Sequence, residues 1–502
     1  MITGEMIKKY TFFITFFLLF FVTSIMLNIE KNRVLGVKII NKEDIQNMFY
    51  EDSLNPTILF NGEKAAIDYK TNIIYISQNI KHNTKKEEMR GILSTQEKDI
   101  SLYFIEDELY NNLSEAVKNN YKFLMIAKKG SVYKTYQVVY TMLPVVVLDG
   151  TYIGKNENEK DSWEGELWCF DAYNEEFDSY SVIQSHVEWH VRGDTSATLE
   201  KKPFKISLKD NNYEKHNLSL CDMGADDDWI LNPMNLDDLK VREKVMMDLW
   251  SVIKNFTNYN LDMSVGEYVE VVIEGEYRGL YLLQRRIDAK YLKQDNAALI
   301  KFENYDTGNT SSFEVEFDLL TIDGYEIEKE IVSGEYIHYM DLHNFIDTSI
   351  LVQISAAHDN FYKNRFLLVS TDENGNLLSK LILWDTDMSF GVYWNNGFDY
   401  HLKKSLNAEI NQFEFQKMLV EYPNLESLIA KRYFELRENI LSEQVIFEIL
   451  ENNYNRLKES SARVRDIEEY GLYYSGKDTY ENINLFIKER LKYLDSYYNS
   501  FL

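Results

Sequence analysis

The stretch HDNFYKNRFLLVSTDENGNLLSKLILWDTDMSFG, His358 to Gly391, carries Asp359, Asn364, Asp385 and Asp387 at the two ends of one apolar–turn–apolar pattern. Arg365 to Ser370 and Leu377 to Trp384 are rich in Leu, Ile, Val and Phe, and the intervening TDENGN, Thr371 to Asn376, has turn-forming residues. The spacing predicts a β-hairpin. With Ser370 paired to Leu377, antiparallel counting sets Asn364 opposite Leu383. Directly opposed residues lie only about 4.5–5.5 Å apart, so Asn364 comes within side-chain reach of Asp385 and, further along, Asp387. Asp359, five positions before Asn364, can approach the same point. An amide oxygen with carboxylates is a hard donor set, suited to Mg²⁺ or Mn²⁺ rather than zinc. Taken alone, D-x4-N recurs by chance in a chain this rich in Asp and Asn, and an acidic turn on an acidic protein is the competing interpretation. The complete set at both feet of one hairpin favours the metal site.

Length and charge bound what surrounds that hairpin. At 502 residues the chain has room for two or more compact units, and 45% hydrophobic with 14% aromatic residues supplies their cores. A formal net charge of −27 argues against nucleic acid and anionic membrane surfaces as general partners, because both need a basic footprint. The two cysteines, Cys169 and Cys221, exclude a disulfide-dense scaffold and lie in no C-x-x-C or Cys/His pattern. They read as small buried apolar residues.

The N-terminus carries a different signal. Tyr10 to Leu27, YTFFITFFLLFFVTSIML, is uncharged and predominantly apolar. At about 1.5 Å per residue it nearly crosses a hydrocarbon core of about 30 Å. No small-x-small cleavage site follows, so residues 1–31 are expected to form a tail and an uncleaved transmembrane anchor. Lys8 and Lys9 precede the segment while Lys31, Arg33 and Lys38 follow it, so the charge count does not choose a side. An extracytoplasmic location is the default. Residues 32–142 then read as a β-rich membrane-proximal module, with strands such as Thr57 to Phe60 and Asn72 to Ile76 and a helix over Tyr110 to Asn119. LPVVVLDG, from Leu143, opens the remaining unit, 143–502, divided into a strand-rich part, 143–300, and a mainly helical part, 301–502.

One segment is a cationic exception to the acidic background. HVRGDTSATLEKKPFKISL, His190 to Leu208, holds Arg192, Lys201, Lys202 and Lys205, with Gly193 and the hydroxyl of Ser196 in a turn between two strand-like runs. Such a turn can offer backbone N–H groups and hydroxyls to phosphate oxygens while the lysines neutralise them. A solvated basic hairpin is the alternative, and the embedded Arg-Gly-Asp has no other feature of an adhesion loop beside it. Asn235 to Lys254 predicts a helix after an Asn or Asp cap, with Val241, Val245, Leu249 and Val252 on one face. Val269 to Asp288 predicts a second hairpin with a buried second strand. Apolar residues recur at three and four positions from Asn411 to Leu502, which predicts helices.

The ordered set LPVVVLDG, HVRGDTSATLEKKPFKISL, DDDWILNP, EYRGLYLLQRRID, DNFYKN and WDTDMSFG resembles the CotH family, the spore-coat protein kinases and their surface-anchored relatives. The likeness runs from about Leu143 to the C-terminus. It implies an α+β, atypical kinase-like fold of two lobes, the smaller of strands with one helix and the larger mainly helical, with ATP and Mg²⁺ or Mn²⁺ between them. By the same likeness, Asp359 matches the catalytic Asp, Asn364 a metal ligand, and the WDTD segment the metal-binding Asp, which is either Asp385 or Asp387. Arg192 and the lysines match the nucleotide-binding block. Many relatives carry Glu where this chain has Arg285, and Glu243 or Asp288 could supply the missing carboxylate. Phosphoryl transfer needs these parts: an Asp to take the hydroxyl proton, an Asn and an Asp for the metal, and a cation on the phosphates. The expected function is a Ser/Thr protein kinase acting on a coat or cell-envelope protein. A catalytically weak, surface-anchored kinase-like module is the second reading. A glycoside hydrolase is the third and weakest, because its paired carboxylates need no lysine cluster.

Overall fold

The hairpin exists, one residue out of the expected register. In the computed structural model, which describes residues 33–80, 89–106, 112–171, 181–193, 195–257, 263–304, 312–322, 325–361, 363–393, 397–401, 412–474 and 476–502 together with 15, 259 and 261, the strands run Arg365–Thr371 and Leu377–Leu383. Thr371 pairs with Leu377 and Arg365 with Leu383, so Asn364 faces Trp384 instead of Leu383. The reason is local. The Asp372 carboxylate accepts from the backbone N–H groups of Asn374 and Asn376, both at 2.8 Å, and this Asx turn tightens the loop and frees Thr371 to join the strand.

Upstream lies a closed barrel of seven strands: β1 (Val145–Lys155), β2 (Asp161–Phe170), β3 (Val182–Val191), β4 (Phe204–Lys209), β5 (Asp228–Asn232), β6 (Gly266–Ile273) and β7 (Glu276–Arg285). The order is β1-β2-β3-β4-β5-β7-β6. A parallel pairing of Val145–Leu148 with Glu270–Ile273 brings β6 back to β1 and closes the sheet. Inward residues such as Val146, Trp189, Ile206, Trp229, Val271 and Leu283 fill it, so it is a packed core and not a pore. Cys169 is buried among them and Cys221 is half-buried at the barrel's end, both as free thiols. As expected, β7 is buried along most of its length.

A second sheet, Ala297–Asn304 (β8), Ser312–Asp318 (β9) and the hairpin strands Arg365–Thr371 (β10) and Leu377–Leu383 (β11), has the order β9-β8-β10-β11. Helix α1, Arg242–Thr257, links β5 to β6. It starts seven residues later than expected because the chain first turns through Met234 to Lys240. Asp237 then accepts from the N–H groups of Val241 and Arg242, both at 2.7 Å, as a cap would. Val241, Val245 and Leu249 are buried as expected, with Ile253 completing the face where Val252 is only half-buried.

Helix α2, Leu342–Ser355, precedes the hairpin, and α3 (Gln412–Glu421), α4 (Leu425–Asn439), α5 (Glu443–Ser460), α6 (Ala462–Tyr470) and α7 (Tyr480–Asn499) follow it. Pro423 separates α3 from α4, since it cannot extend a helix whose preceding carbonyls need partners. Ile483, Phe486, Ile487, Leu491 and Leu494 bury one face of α7 in the largest core. Helix α6 docks on β7: Asp466 accepts from the Leu280 N–H at 2.9 Å, a contact open only because Gly279 has no Cβ to collide with that carboxylate.

The segment before the barrel forms an eight-stranded sheet and a three-stranded one. The expected strands appear as Ile58–Phe60 and Ile73–Ser77, and the expected helix as Leu113–Lys118. Their core continues onto the barrel's outer face through Val145, Val147, Trp168 and Tyr277, with Tyr75 stacked on Tyr277 at 4.3 Å. The expected anchor, Tyr10 to Leu27, lies outside the described residues except for Thr15. Among the described residues no helix is long and apolar enough to cross a membrane.

Candidate active site

The two feet of the hairpin are pinned by a residue between them. Asn360, buried in the short turn His358–Phe361, donates from Nδ2 to the carbonyls of Asn364 and Trp384, each at 2.8 Å. Asp359 is therefore fixed beside the same junction. Asn364 and Asp385 both adopt left-handed backbone, φ 53° and 52°, which Asn and Asp tolerate better than other side-chain-bearing residues. The Trp384 N–H donates to the Asn364 carbonyl at 2.9 Å, and Asn364 Nδ2 donates to the Asp385 carbonyl at 3.4 Å. The second bond engages Nδ2 and leaves the Asn364 Oδ1 for a ligand.

Around this junction carboxylates crowd one another. Glu243, buried on α1, accepts from the Thr386 N–H at 2.5 Å and from the Thr386 hydroxyl at 2.8 Å, while Gln284 Nε2 donates to its other oxygen at 3.3 Å. Burial, then the charge of Asp385, push the Glu243 pKa up to about 7. Asp387 is raised well above the ordinary carboxylate range by burial and by Asp385, Glu243, Asp237 and Asp359. Asp385 is raised by burial and by Asp359, with Arg192 opposing. Asp359 has Lys363 Nζ at 3.0 Å. Among the described residues no group of three or more Asp, Glu, His or Cys side chains is placed to hold a metal ion on its own. Mg²⁺ is usually held by one or two carboxylates together with substrate phosphates, so Asn364 with Asp385 or Asp387 fits an ion whose shell phosphates complete. Such an ion would also relieve the repulsion among these acids.

Trp384, next to Asp385 in the chain, lines a cavity of about 640 Å³ between the barrel and the second sheet, within the size range of small-molecule sites; Asp359, Asn364, Asp385, Asp387 and Glu243 do not line it. Four cations line it: Arg192 after β3, Lys205 on β4, Arg286 after β7 and Lys301 on β8. Trp384 and Phe366, packed edge to face at 5.9 Å, supply an aromatic wall. The Arg192 guanidinium lies 5.5 Å from the Trp384 ring centre and favours the ionised Asp385, which joins the cavity to the acidic feet. Lys205 pairs with Asp228 at 3.0 Å, and Arg286 with Glu316 at 2.8 Å and Asp228 at 3.4 Å. Burial, then Lys205 and Arg192, lower the pKa of His190 on the same wall.

Of the residues expected to cradle a nucleotide, Arg192 and Lys205 line this cavity, whereas Gly193, Ser196 and Lys202 do not. Lys202 Nζ donates to the Ala197 carbonyl at 2.8 Å, Gly193 at φ 76° gives its carbonyl to Lys160 Nζ at 2.8 Å, and Ser196 opens the turn Ser196–Thr198. Lys201 is a buried strut, 2.5 Å from Asp466 and donating to the Pro233 carbonyl at 3.2 Å. The cationic wall is thus built from two strand side chains, Lys205 and Lys301, and from the residues that directly follow β3 and β7, Arg192 and Arg286, and not from Gly193, Ser196 or Lys202. Arg285 pairs with Asp226 at 2.7 and 2.9 Å and lies 4.7 Å from the Tyr291 ring centre. Its neighbour Gln284 points the other way, to Glu243. Of the two carboxylates that could replace the relatives' Glu, Glu243 stands at the acidic feet, while Asp288 caps the helix Ala289–Leu292. Arg286, Lys301 and Trp384 line the cavity and Asn360 braces the feet, although no sequence pattern singles them out. The nearest signal is the adjacency of Arg286 to Arg285 and of Trp384 to Asp385.

The barrel, the flanking sheet and the helical remainder define a mixed α/β protein in which an acid cluster adjoins a cation-lined cavity. The model of the CotH kinase protein family matches residues 189–494, from within β3 to within α7, which is more than half of the chain, and the chain belongs to that family. The match begins after the LPVVVLDG strand. No curated protein matches the chain.

Proposed function

We propose that the chain is an ATP- and Mg²⁺- or Mn²⁺-dependent protein kinase that transfers the γ-phosphate to a Ser or Thr hydroxyl of a coat or cell-surface protein. The barrel with α1 is then the smaller lobe, the second sheet with the remaining helices the larger, and the nucleotide lies between them. The observation that carries this reading is the junction of Arg192 with Trp384 and Asp385, where cations suited to phosphates meet carboxylates suited to a metal. A divalent ion held by Asn364 with Asp385 or Asp387 would neutralise charge on the phosphates. Arg192 and Lys205 hold phosphate oxygens, and Trp384 with Phe366 gives the base an apolar face. Glu243 fixes the loop through Thr386. Asp359 accepts the proton of the attacking hydroxyl.

One observation favours the second reading, a kinase-like binding module: Lys205 and Arg286 already have carboxylate partners in Asp228 and Glu316, so a phosphate must compete for them. Tyr10 to Leu27 is proposed to anchor the chain in a membrane with the remainder outside the cytoplasm, where ATP is scarce, so the side of the membrane decides the donor supply. The test is to incubate the full chain in detergent with labelled ATP and Mg²⁺ or Mn²⁺. Label on protein that disappears with Asp359→Asn supports the kinase. ATP binding without transfer supports the module, and neither binding nor transfer sinks both.

A further inference from the structure

The chain has two cysteines in 502 residues, and the fold puts them together: Cys169 Sγ and Cys221 Sγ are 3.8 Å apart although 52 positions separate them. Cys169 points into the barrel core from β2, where its residue pairs with Val146 and Ile183. Cys221 sits in the turn Leu220–Asp222, which covers one end of the barrel, with Leu218, Cys221 and Met223 packed against the core. This turn has two successive left-handed residues, Cys221 at φ 51° and Asp222 at φ 57°, a backbone that Asp tolerates and Cys rarely adopts. Arg285 holds it, donating to the Met223 carbonyl at 3.4 Å and the Ala225 carbonyl at 3.2 Å.

We propose that Cys169 and Cys221 form a reversible disulfide that staples this turn to the barrel wall, made by exchange with a low-molecular-weight disulfide or a thiol–disulfide oxidoreductase. Cys221, half-buried, is the entry point, and Cys169, fully buried, is the resolving thiol. The Cys221 thiolate attacks one sulfur of the oxidant, whose S–S bond breaks and releases one thiol. The Cys169 thiolate then attacks Cys221 Sγ, the mixed disulfide breaks, and the second thiol leaves. Two protein thiols lose two electrons, the oxidant gains them, and the two protons pass to the released thiols. The sulfurs must close from 3.8 Å to about 2.05 Å. The contact with Cys169 and burial raise the Cys221 pKa, so exchange quickens as pH rises. The staple closes a long loop of the unfolded chain and raises the melting temperature whatever ligand the cavity takes.

The test oxidises the folded full-length chain with oxidised glutathione, quenches in acid, unfolds and alkylates it, then maps the peptides. A peptide pair joining Cys169 to Cys221, lost on reduction and accompanied by a higher melting temperature, is the expected result. Alkylation of both cysteines, glutathione retained on Cys221, or a disulfide between two chains would each overturn the proposal. In Cys169→Ala, glutathione should remain on Cys221, and a bare Cys221 there contradicts its role as the entry point.

Discussion

The cationic wall and the acidic feet are neighbours with opposite states of charge balance. On the wall, Lys205 and Arg286 have fixed carboxylates in Asp228 and Glu316, and their charges are largely settled before any ligand arrives. At the feet, Asp359, Asp385, Asp387 and Glu243 repel one another, and burial pushes Glu243 and Asp387 toward their neutral forms. The difference says which side gains from a cation. A ligand that brought only negative charge would displace existing partners on the wall and worsen the feet, whereas one carrying its own divalent ion satisfies both.

The largest effects are expected at the feet, where taking a proton and holding a metal fall to different residues. Asp359→Asn should lower phosphoryl transfer by about 10²- to 10⁴-fold while leaving metal-dependent ATP affinity nearly unchanged, measured by parallel turnover and binding assays. Asp385→Ala and Asp387→Ala should lose the binding as well, and the more damaging of the two names the principal ligand. Asn364→Ala should fall between them, since water replaces a neutral oxygen more readily than a carboxylate. If all four variants match the parent in both assays, the feet are a structural acid cluster.

Next in size is a contrast among the lysines. Lys201→Met leaves the buried Asp466 without its closest cation and should cost about 3–5 kcal/mol in a denaturant melt. Arg192→Met should instead weaken ATP binding by about 10-fold or more with little loss of stability, the scale of one charge-assisted hydrogen bond, and Lys205→Met should weaken it as much with a stability loss smaller than that of Lys201→Met, because Asp228 keeps Arg286 and Ser207. Lys202→Met should change neither. An ATP affinity that responds to Lys202 and ignores Lys205 would return the cradle to the turn.

This contrast marks what the sequence makes legible. The hairpin and the placing of its acids at the two feet follow from two apolar runs and a turn, and only the register slips, because the Asx turn at Asp372 tightens the loop and brings Thr371 into the strand. Lys202 and Lys205 look alike as charges. The distinction lies in Pro203, which keeps Lys202 out of the strand, and in the alternation of Phe204, Ile206 and Leu208, which turns Lys205 and Ser207 outward. The barrel's closure was not legible, since it depends on a parallel pairing between β1 and β6 that no local pattern encodes. Glu243 was legible as a carboxylate on a helix, but its bond to Thr386 joins segments 143 positions apart.

The smallest expected effect is on pH. Glu243 has a folded pKa of about 7 against an ordinary value of 4.5, so the folded chain keeps a proton that the unfolded chain releases between those values. Its contribution to stability is complete below about pH 4.5 and is lost as pH rises through about 7. Metal-free thermal melts should therefore show a falling melting temperature over that window, with a smaller fall in Glu243→Gln and partial recovery on adding Mg²⁺. An equal fall in Glu243→Gln would assign the effect to other groups.

The most direct measurement is a calorimetric titration of ATP into the full chain, once with Mg²⁺ and once with a chelator. If wall and feet form one site, ATP binds with Mg²⁺ and loses at least about 10-fold in affinity without it, the scale of one charge-assisted hydrogen bond or more. Equal binding in the two titrations would separate the wall from the feet, and no binding in either would remove ATP as the ligand.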